Sequence, residues 1–210
     1  MRHTGQMTRV IAGEAGGRRL AVPGGLSTRP TSDRAREGLF ASVLSELGSL
    51  AGKRVLDLYA GSGAVGLEAL SRGADHVLLV ESDARAVAVI KENIQSVGMA
   101  GAQVRADKVE RLLARPPDGG RYDFVFADPP YAMAKPGITT MLGLLARGWL
   151  APGGLVAVER ATRSGELEWP DGLGMSKSRK YGEATFWYGH PTSAGNNGHV
   201  AGGGPDRSRE

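Results

Sequence analysis

Apolar positions in this chain cluster into short runs separated by stretches with helical spacing. The runs lie at residues 54–60, His76–Ser82, Ala102–Ala106, Tyr122–Ala127 and Gly154–Arg160, and each reads as a strand buried on both faces. Between them, Ala64–Arg72, Asp83–Val97, Lys108–Arg115 and Ile138–Trp149 read as helices, with Val87, Ile90, Ile94 and Val97 on one face of the second. Strands alternating with helices predict a doubly wound α/β domain around a mostly parallel sheet. The pattern changes at both ends. Met175–Gly182 and Ala184–Gly189 predict an antiparallel strand pair, which brings the expected sheet to seven strands. Near the start, Thr8–Gly13 and Arg18–Pro23 flank Glu14–Gly17 and predict a small hairpin. A helix follows, with Thr31 or Ser32 as its cap and Ala35, Leu39, Phe40, Val43, Leu44 and Leu47 as its buried face.

The expected organisation is a flexible segment 1–7, a basic hairpin extension 8–31, the α/β domain 32–190 and a disordered tail 191–210. Met7 stands immediately before the first patterned segment and is a second candidate start beside Met1. The chain has 210 residues and no cysteine, which excludes disulfides, thiolate zinc and cysteine nucleophiles. Its four histidines are scattered, so no metal site is expected. No apolar run approaches the ~20 residues of a membrane span, and a cytoplasmic monomer is expected.

Charge adds a direction. Residues 1–36 carry seven arginines against Glu14 and Asp33, whereas the remainder is one charge negative in a chain of net +4. A localised basic segment is the footprint of a polyanion. It makes Arg9, Arg18, Arg19, Arg29, Arg34 and Arg36 candidate nucleic-acid contacts.

Two motifs carry the candidate chemistry. The first run ends in Asp57-Leu58-Tyr59-Ala60 and a glycine loop, Gly61-Ser62-Gly63-Ala64-Val65-Gly66. This is a literal G-x-G-x-x-G between strand and helix, with Glu81 where a ribose-binding acid should fall. A dinucleotide and S-adenosylmethionine both fit that spacing. A carboxylate at Asp57 would repel a pyrophosphate and attract a sulfonium, by roughly 3 kcal/mol at about 5 Å and an effective dielectric of ~20. The second motif is Asp128-Pro129-Pro130-Tyr131, at the end of the fourth run. Ligands in doubly wound sheets bind beyond the carboxyl ends of the strands. There a carboxylate and a proline carbonyl can accept both hydrogens of an exocyclic amine, and a tyrosine ring can stack on a base.

These two motifs together resemble the class I S-adenosylmethionine-dependent amino-methyltransferases, which have a Rossmann-like fold. The wider pattern is similar to the bacterial 16S rRNA (guanine-N2) methyltransferases of the guanine-966 type. It includes R-V-I-A-G…G-R-R-L…P, Arg29-Pro30-Thr31…Asp33-Arg34…Arg36-Glu37, the glycine-loop block and F-A-D-P-P-Y, between about Thr8 and Gly189. The resemblance implies methyl transfer to N2 of one guanine in an assembling small ribosomal subunit. It implies cofactor contacts from Asp57, Tyr59, Gly61, Gly63, Glu81, Ser82, Asp107 and Lys108. It gives Asp128, Pro129, Pro130 and Tyr131 the catalytic role, with Asp in place of the more common Asn. DNA adenine-N6 or protein-glutamine methylation, a non-catalytic RNA-binding assembly factor and a nicotinamide-dependent oxidoreductase are the alternatives.

Overall fold

The computed structural model describes residues 7–24 and 32–192. Their elements are β1 (Met7–Arg9), β2 (Arg19–Ala21), α1 (Asp33–Leu47), β3 (Arg54–Leu58), α2 (Ala64–Ser71), β4 (His76–Glu81) and α3 (Ala84–Val97). Then come β5 (Ala102–Ala106), α4 (Val109–Leu113), β6 (Tyr122–Ala127), α5 (Lys135–Ala146), β7 (Leu150–Ala161), β8 (Leu173–Tyr181) and β9 (Ala184–Pro191). The large sheet has the order β5-β4-β3-β6-β7-β9-β8. Its first five strands are parallel and β9 pairs antiparallel with both β7 and β8. The winding direction reverses between β3 and β6, which opens a crevice at their carboxyl ends.

Alternation along the strands sends side chains to opposite faces. Phe124 and Phe126 of β6 join Leu39, Phe40, Val65 and Ile90 under α1, α2 and α3. Val125 and Ala127 join Val109, Ile138, Met141 and Leu142 under α4 and α5.

Boundaries shift where side-chain partners override local pattern. The last helix begins at Lys135 and stops at Ala146, not at Ile138 and Trp149. Pro136 in its first turn needs no N–H donor there. Trp149 leaves the helix and is buried, its indole N–H donating to the carbonyls of Leu113 (3.1 Å) and Arg115 (2.8 Å).

The hairpin β1–β2 is fixed to the α/β domain. Val10, Ala15 and Leu20 pack on Ala64, Leu67 and Val97. Glu68, wholly buried in α2, accepts the N–H groups of Ile11 (2.6 Å) and Ala12 (3.0 Å) and pairs with Arg72 (2.7 Å). At the end of α2, Ser71 receives Ala15 N–H through its hydroxyl (2.9 Å) and Glu14 N–H through its carbonyl (2.8 Å). Glycine is required at 13: its φ is +85°, and a Cβ would lie 1.9 Å from the Ser71 carbonyl oxygen. Arg36 also belongs to this joint. It was expected to contact nucleic acid, but it is fully buried and donates to the Arg9 carbonyl, Thr8 and Asp33. A guanidinium enclosed in this way cannot reach a phosphate.

Replacing Glu68 with alanine leaves two amides and Arg72 without their shared acceptor. The expected loss is about 3 kcal/mol in chemical denaturation, with collapse of hydrogen-exchange protection across residues 10–20. Full hairpin protection in that variant would show that apolar contacts alone hold it.

Candidate active site

The glycine loop begins with strain. Tyr59 is the one non-glycine residue at positive φ (58°) among those described, a conformation costing roughly 1–2 kcal/mol. Its hydroxyl donates to Glu110 at 2.8 Å, and its ring packs on the α4–α5 side of the sheet. The loop then closes through Ala60 N–H to the Val80 carbonyl (3.0 Å) and Gly63 N–H to the Ala60 carbonyl (2.7 Å).

Two expectations change here. Asp57 lies beneath the loop, not at its mouth. It is 2% exposed, and its carboxylate accepts the Gly66 N–H at 2.8 Å. Burial pushes its carboxyl up to about 8, against the opposing pull of that N–H, and the Glu81 charge adds to the rise. Gly63 was expected to let a ligand approach. Its φ of +77° suits glycine, and a Cβ there would lie 2.8 Å from Leu79 Cδ2, so the backbone turn and the core beneath it also favour glycine at this position. Gly61 alone of the pair faces open space, at φ +57°.

Glu81, at the end of β4, turns its carboxylate onto the loop. It accepts Gly61 N–H (3.0 Å) on one oxygen, and Ser82 N–H (2.7 Å) and Asp83 N–H (2.9 Å) on the other. Asp107 follows β5 and is latched to β4 through its own N–H on the Glu81 carbonyl (3.1 Å). Its carboxylate accepts Lys108 N–H (2.7 Å) and pairs with Arg111, which holds it below the usual carboxylate range. Lys108 and Ser82 are exposed at the rim, so the strand ends bring these candidates to one edge.

Across the switch point stands Asp128-Pro129-Pro130-Tyr131. Asp128 N–H donates to the Leu58 carbonyl (3.3 Å), which ties the motif to the base of the glycine loop, and Met133 N–H to the Pro130 carbonyl (2.8 Å). Burial, then Glu159 and Asp57, push the Asp128 carboxyl well above its usual range, opposed by Arg160. Tyr131 is half exposed, its ring open to a ligand.

Arg160 was not among the sequence candidates. It is buried at the end of β7 and donates to the carbonyls of Pro129 (3.2 Å), Pro130 (3.2 Å) and Met133 (3.1 Å). One guanidinium thus fixes the whole turn. The signal was present: Glu159-Arg160 interrupts an apolar run at a strand's carboxyl end, as Asp57 does.

The candidate RNA contacts divide. Arg9 and Arg34 are exposed beside the start of α1, Arg9 pairing with Asp33 at 3.1 Å. Arg19 is exposed, and Arg18 donates to the Ser96 carbonyl (3.3 Å) near the end of α3, away from the crevice. Arg29 lies outside the described residues.

Residues 8–190 match the family described as conserved hypothetical protein 95. The chain belongs to that family. It is 36% identical to the putative rRNA methyltransferase YlbH of Bacillus subtilis, over 83% of this chain and 94% of that protein. It is 33% identical to ribosomal RNA small subunit methyltransferase D of Escherichia coli, over 88% and 90%. Among solved structures, a putative methyltransferase from Escherichia coli superposes with a TM-score of 0.76 at 30% identity, covering 89% of this chain and 98% of that one. The fold is also that of a magnesium protoporphyrin IX methyltransferase from Synechocystis solved with bound S-adenosylmethionine, at a TM-score of 0.60 and 15% identity.

The residues fit that cofactor. Gly61 leaves open room over the loop, and two carboxylates, Glu81 and Asp107, stand at the adjoining strand ends where hydroxyl and amine donors would fall. When bound, S-adenosylmethionine supplies an electrophilic methyl on a positively charged sulfur.

The Asp57 shift has a consequence for stability. Its folded carboxyl titrates near 8, far above an unfolded aspartate at about 3.9. Between those values the folded chain holds a proton that the unfolded chain has released, so Asp57 subtracts stability as pH rises, by up to about 1.4 kcal/mol per unit. Asp57→Asn keeps an acceptor for Gly66 and removes the titration. Relative to wild type, its stability in chemical denaturation is expected to climb from about pH 5 to about pH 8; a constant difference would refute the shift.

Proposed function

We propose that this protein transfers the methyl group of S-adenosylmethionine to the exocyclic N2 of one guanine in 16S rRNA of the small ribosomal subunit. The observation that carries this reading is the Asp128–Pro129 pair of acceptors, clamped by Arg160 and tied to the end of β3 beside the glycine loop. The names of the two relatives favour rRNA over DNA or a protein amide as substrate.

The chemistry asks for positioning. The lone pair of a guanine N2 is delocalised into the ring and must be turned towards the methyl carbon. Asp128 accepts one amine hydrogen and the Pro129 carbonyl the other. That carbonyl has two lone pairs, of which Arg160 uses one. Tyr131 stacks on the base, worth roughly 1–3 kcal/mol. Methyl transfer leaves the nitrogen positive with one proton too many. Asp128, its affinity for protons raised by burial and by Glu159, stands in contact to receive it. A duplexed or stacked guanine cannot reach this crevice, so the target base leaves its stack.

RNA is held by the exposed arginines of the hairpin and of α1, namely Arg9, Arg18, Arg19 and Arg34, with Arg29 between them in sequence. Arg179 and Lys180 join them. Both are exposed near the end of β8, which runs in the same direction as β7 and so ends at the same edge as the crevice.

Labelled S-adenosylmethionine with undermethylated small subunits or free 16S rRNA should place label on a guanine N2; label on adenine or on protein would remove the reading. Asp128→Ala should bind the cofactor with near-wild-type affinity in calorimetry and lose at least a hundredfold in transfer rate. Reversing charge at Arg18, Arg19 and Arg34 should flatten the log–log salt dependence of RNA binding by roughly 0.7–0.9 per lost phosphate contact. Cofactor affinity should not move; an unchanged salt slope would return those arginines to a structural role.

A further inference from the structure

Glu159 sits beside Asp128 at the mouth of the crevice. Ala127 of β6 pairs with Val158 of β7, so the next residues along, Asp128 and Glu159, are neighbours across the parallel ladder. Ala127 and Val158 face α4 and α5, whereas Phe126, Ala157 and Phe186 face α1. Glu159 pairs in register with Phe186 and therefore shares that second face. It is 6% exposed, and its charge acts on both Asp128 and Tyr131. A second acid is thus enclosed next to the acceptor for the amine.

We propose that Glu159 is the residue that selects guanine, by accepting the ring N1–H while Asp128 accepts a hydrogen of N2. The inference rests on the assignment of Asp128-Pro129-Pro130-Tyr131 as the amine site. Guanine alone among the four bases presents an exocyclic amine directly beside a ring N–H. In adenine the N6 amine lies between N1 and N7, and in cytosine the N4 amine lies beside N3; these ring atoms are all acceptors. Two adjacent carboxylates match the donor–donor edge of guanine. They face a lone pair in either of the other bases, and a buried acceptor set against another acceptor is strongly disfavoured. The proline carbonyl and the tyrosine face cannot make this distinction, because every amino-base offers an amine and a π surface.

The test changes the hydrogen-bonding edge of the base and one atom of the protein. RNA in which the methylated guanine is replaced by 2-aminopurine keeps the N2 amine but carries an acceptor at N1. Wild-type protein should methylate it with kcat/KM lower by about tenfold or more. Glu159→Gln, whose amide can donate to that acceptor, should lose activity on guanine and shrink the penalty for 2-aminopurine severalfold. Calorimetric binding of S-adenosylmethionine reports whether the variant is folded. If wild type uses both RNAs equally, the inference is overturned without any variant. It is also overturned if folded Glu159→Gln keeps the full penalty. If wild type methylates no guanine amine at all, the underlying assignment fails instead.

Discussion

A carboxyl group under the first loop sets the dimensions of everything around it. Asp57 is enclosed between β3 and α2, and a buried acceptor without a donor would cost about 1–3 kcal/mol, more if charged. Its donor is the N–H of Gly66, which draws the first turn of α2 down onto the sheet. A side chain at 66 would force its neighbours to move: a Cβ would lie 2.9 Å from both Leu79 Cδ2 and Val77 Cγ1 and 3.1 Å from the Asp57 oxygen. The glycine spacing that resembles a ligand-binding fingerprint therefore also serves packing at 63 and 66, while Gly61 faces open space. Bond and spacing together hold the loop at the right height for Glu81 to reach it from the next strand.

The same close approach explains the N-terminal extension. All eight residues of α2 are buried, so the helix needs a cover on the side away from the sheet. The hairpin is that cover, and the two polar residues of the helix's second half, Glu68 and Ser71, accept its backbone N–H groups. Asn93 of α3 adds a link to the chemistry. It exchanges hydrogen bonds with the Ala21 backbone (2.8 and 2.9 Å) and donates to the Ser62 carbonyl in the glycine loop (2.9 Å). The basic hairpin is thus bonded to the glycine loop through one buried amide. Its arginines decorate the outer side of an element whose inner side completes the core.

The central strands were legible because a parallel sheet buries both faces and leaves apolar runs, as in β6; β5 also falls where predicted, although it is the edge strand and its Gln103 and Arg105 are exposed. Motif residues were legible because glycines, prolines and an isolated aspartate at strand ends have few other uses. Depth was not legible. The sequence shows that Asp57 precedes a loop, but the side of the loop on which the carboxylate lies depends on Gly66 nine residues later. Arg36 reads as one more cation in a basic segment; its burial depends on Thr8 and Arg9, brought to it by the hairpin. Arg160 and Glu159 acquire meaning only when the β6–β7 register sets them against Pro129 and Asp128. In each case the missing information is a pairing set by tertiary structure, over nine residues for Asp57 and Gly66 and about thirty for Arg36 and Arg160, which no local pattern encodes.

The distribution of charge sorts the parts of a nucleotide. The outer surface offers Arg9, Arg18, Arg19 and Arg34 on one side and Arg179 and Lys180 on another, all suited to phosphate. The end of the crevice at β6 and β7 holds Asp128 and Glu159 against one enclosed cation, Arg160, whose donors are turned to backbone carbonyls. A phosphate within about 5 Å of whichever carboxylate of this pair carries the charge meets roughly 3 kcal/mol of repulsion at an effective dielectric of ~20. A sulfonium gains about as much, and an amine edge meets hydrogen-bond acceptors. In the function proposed here, this charge pattern holds the backbone of an RNA outside while a base and a cationic donor are drawn in. Base extrusion then follows from the field of the protein as well as from the shape of the crevice, because only the uncharged end of the nucleotide is stable there.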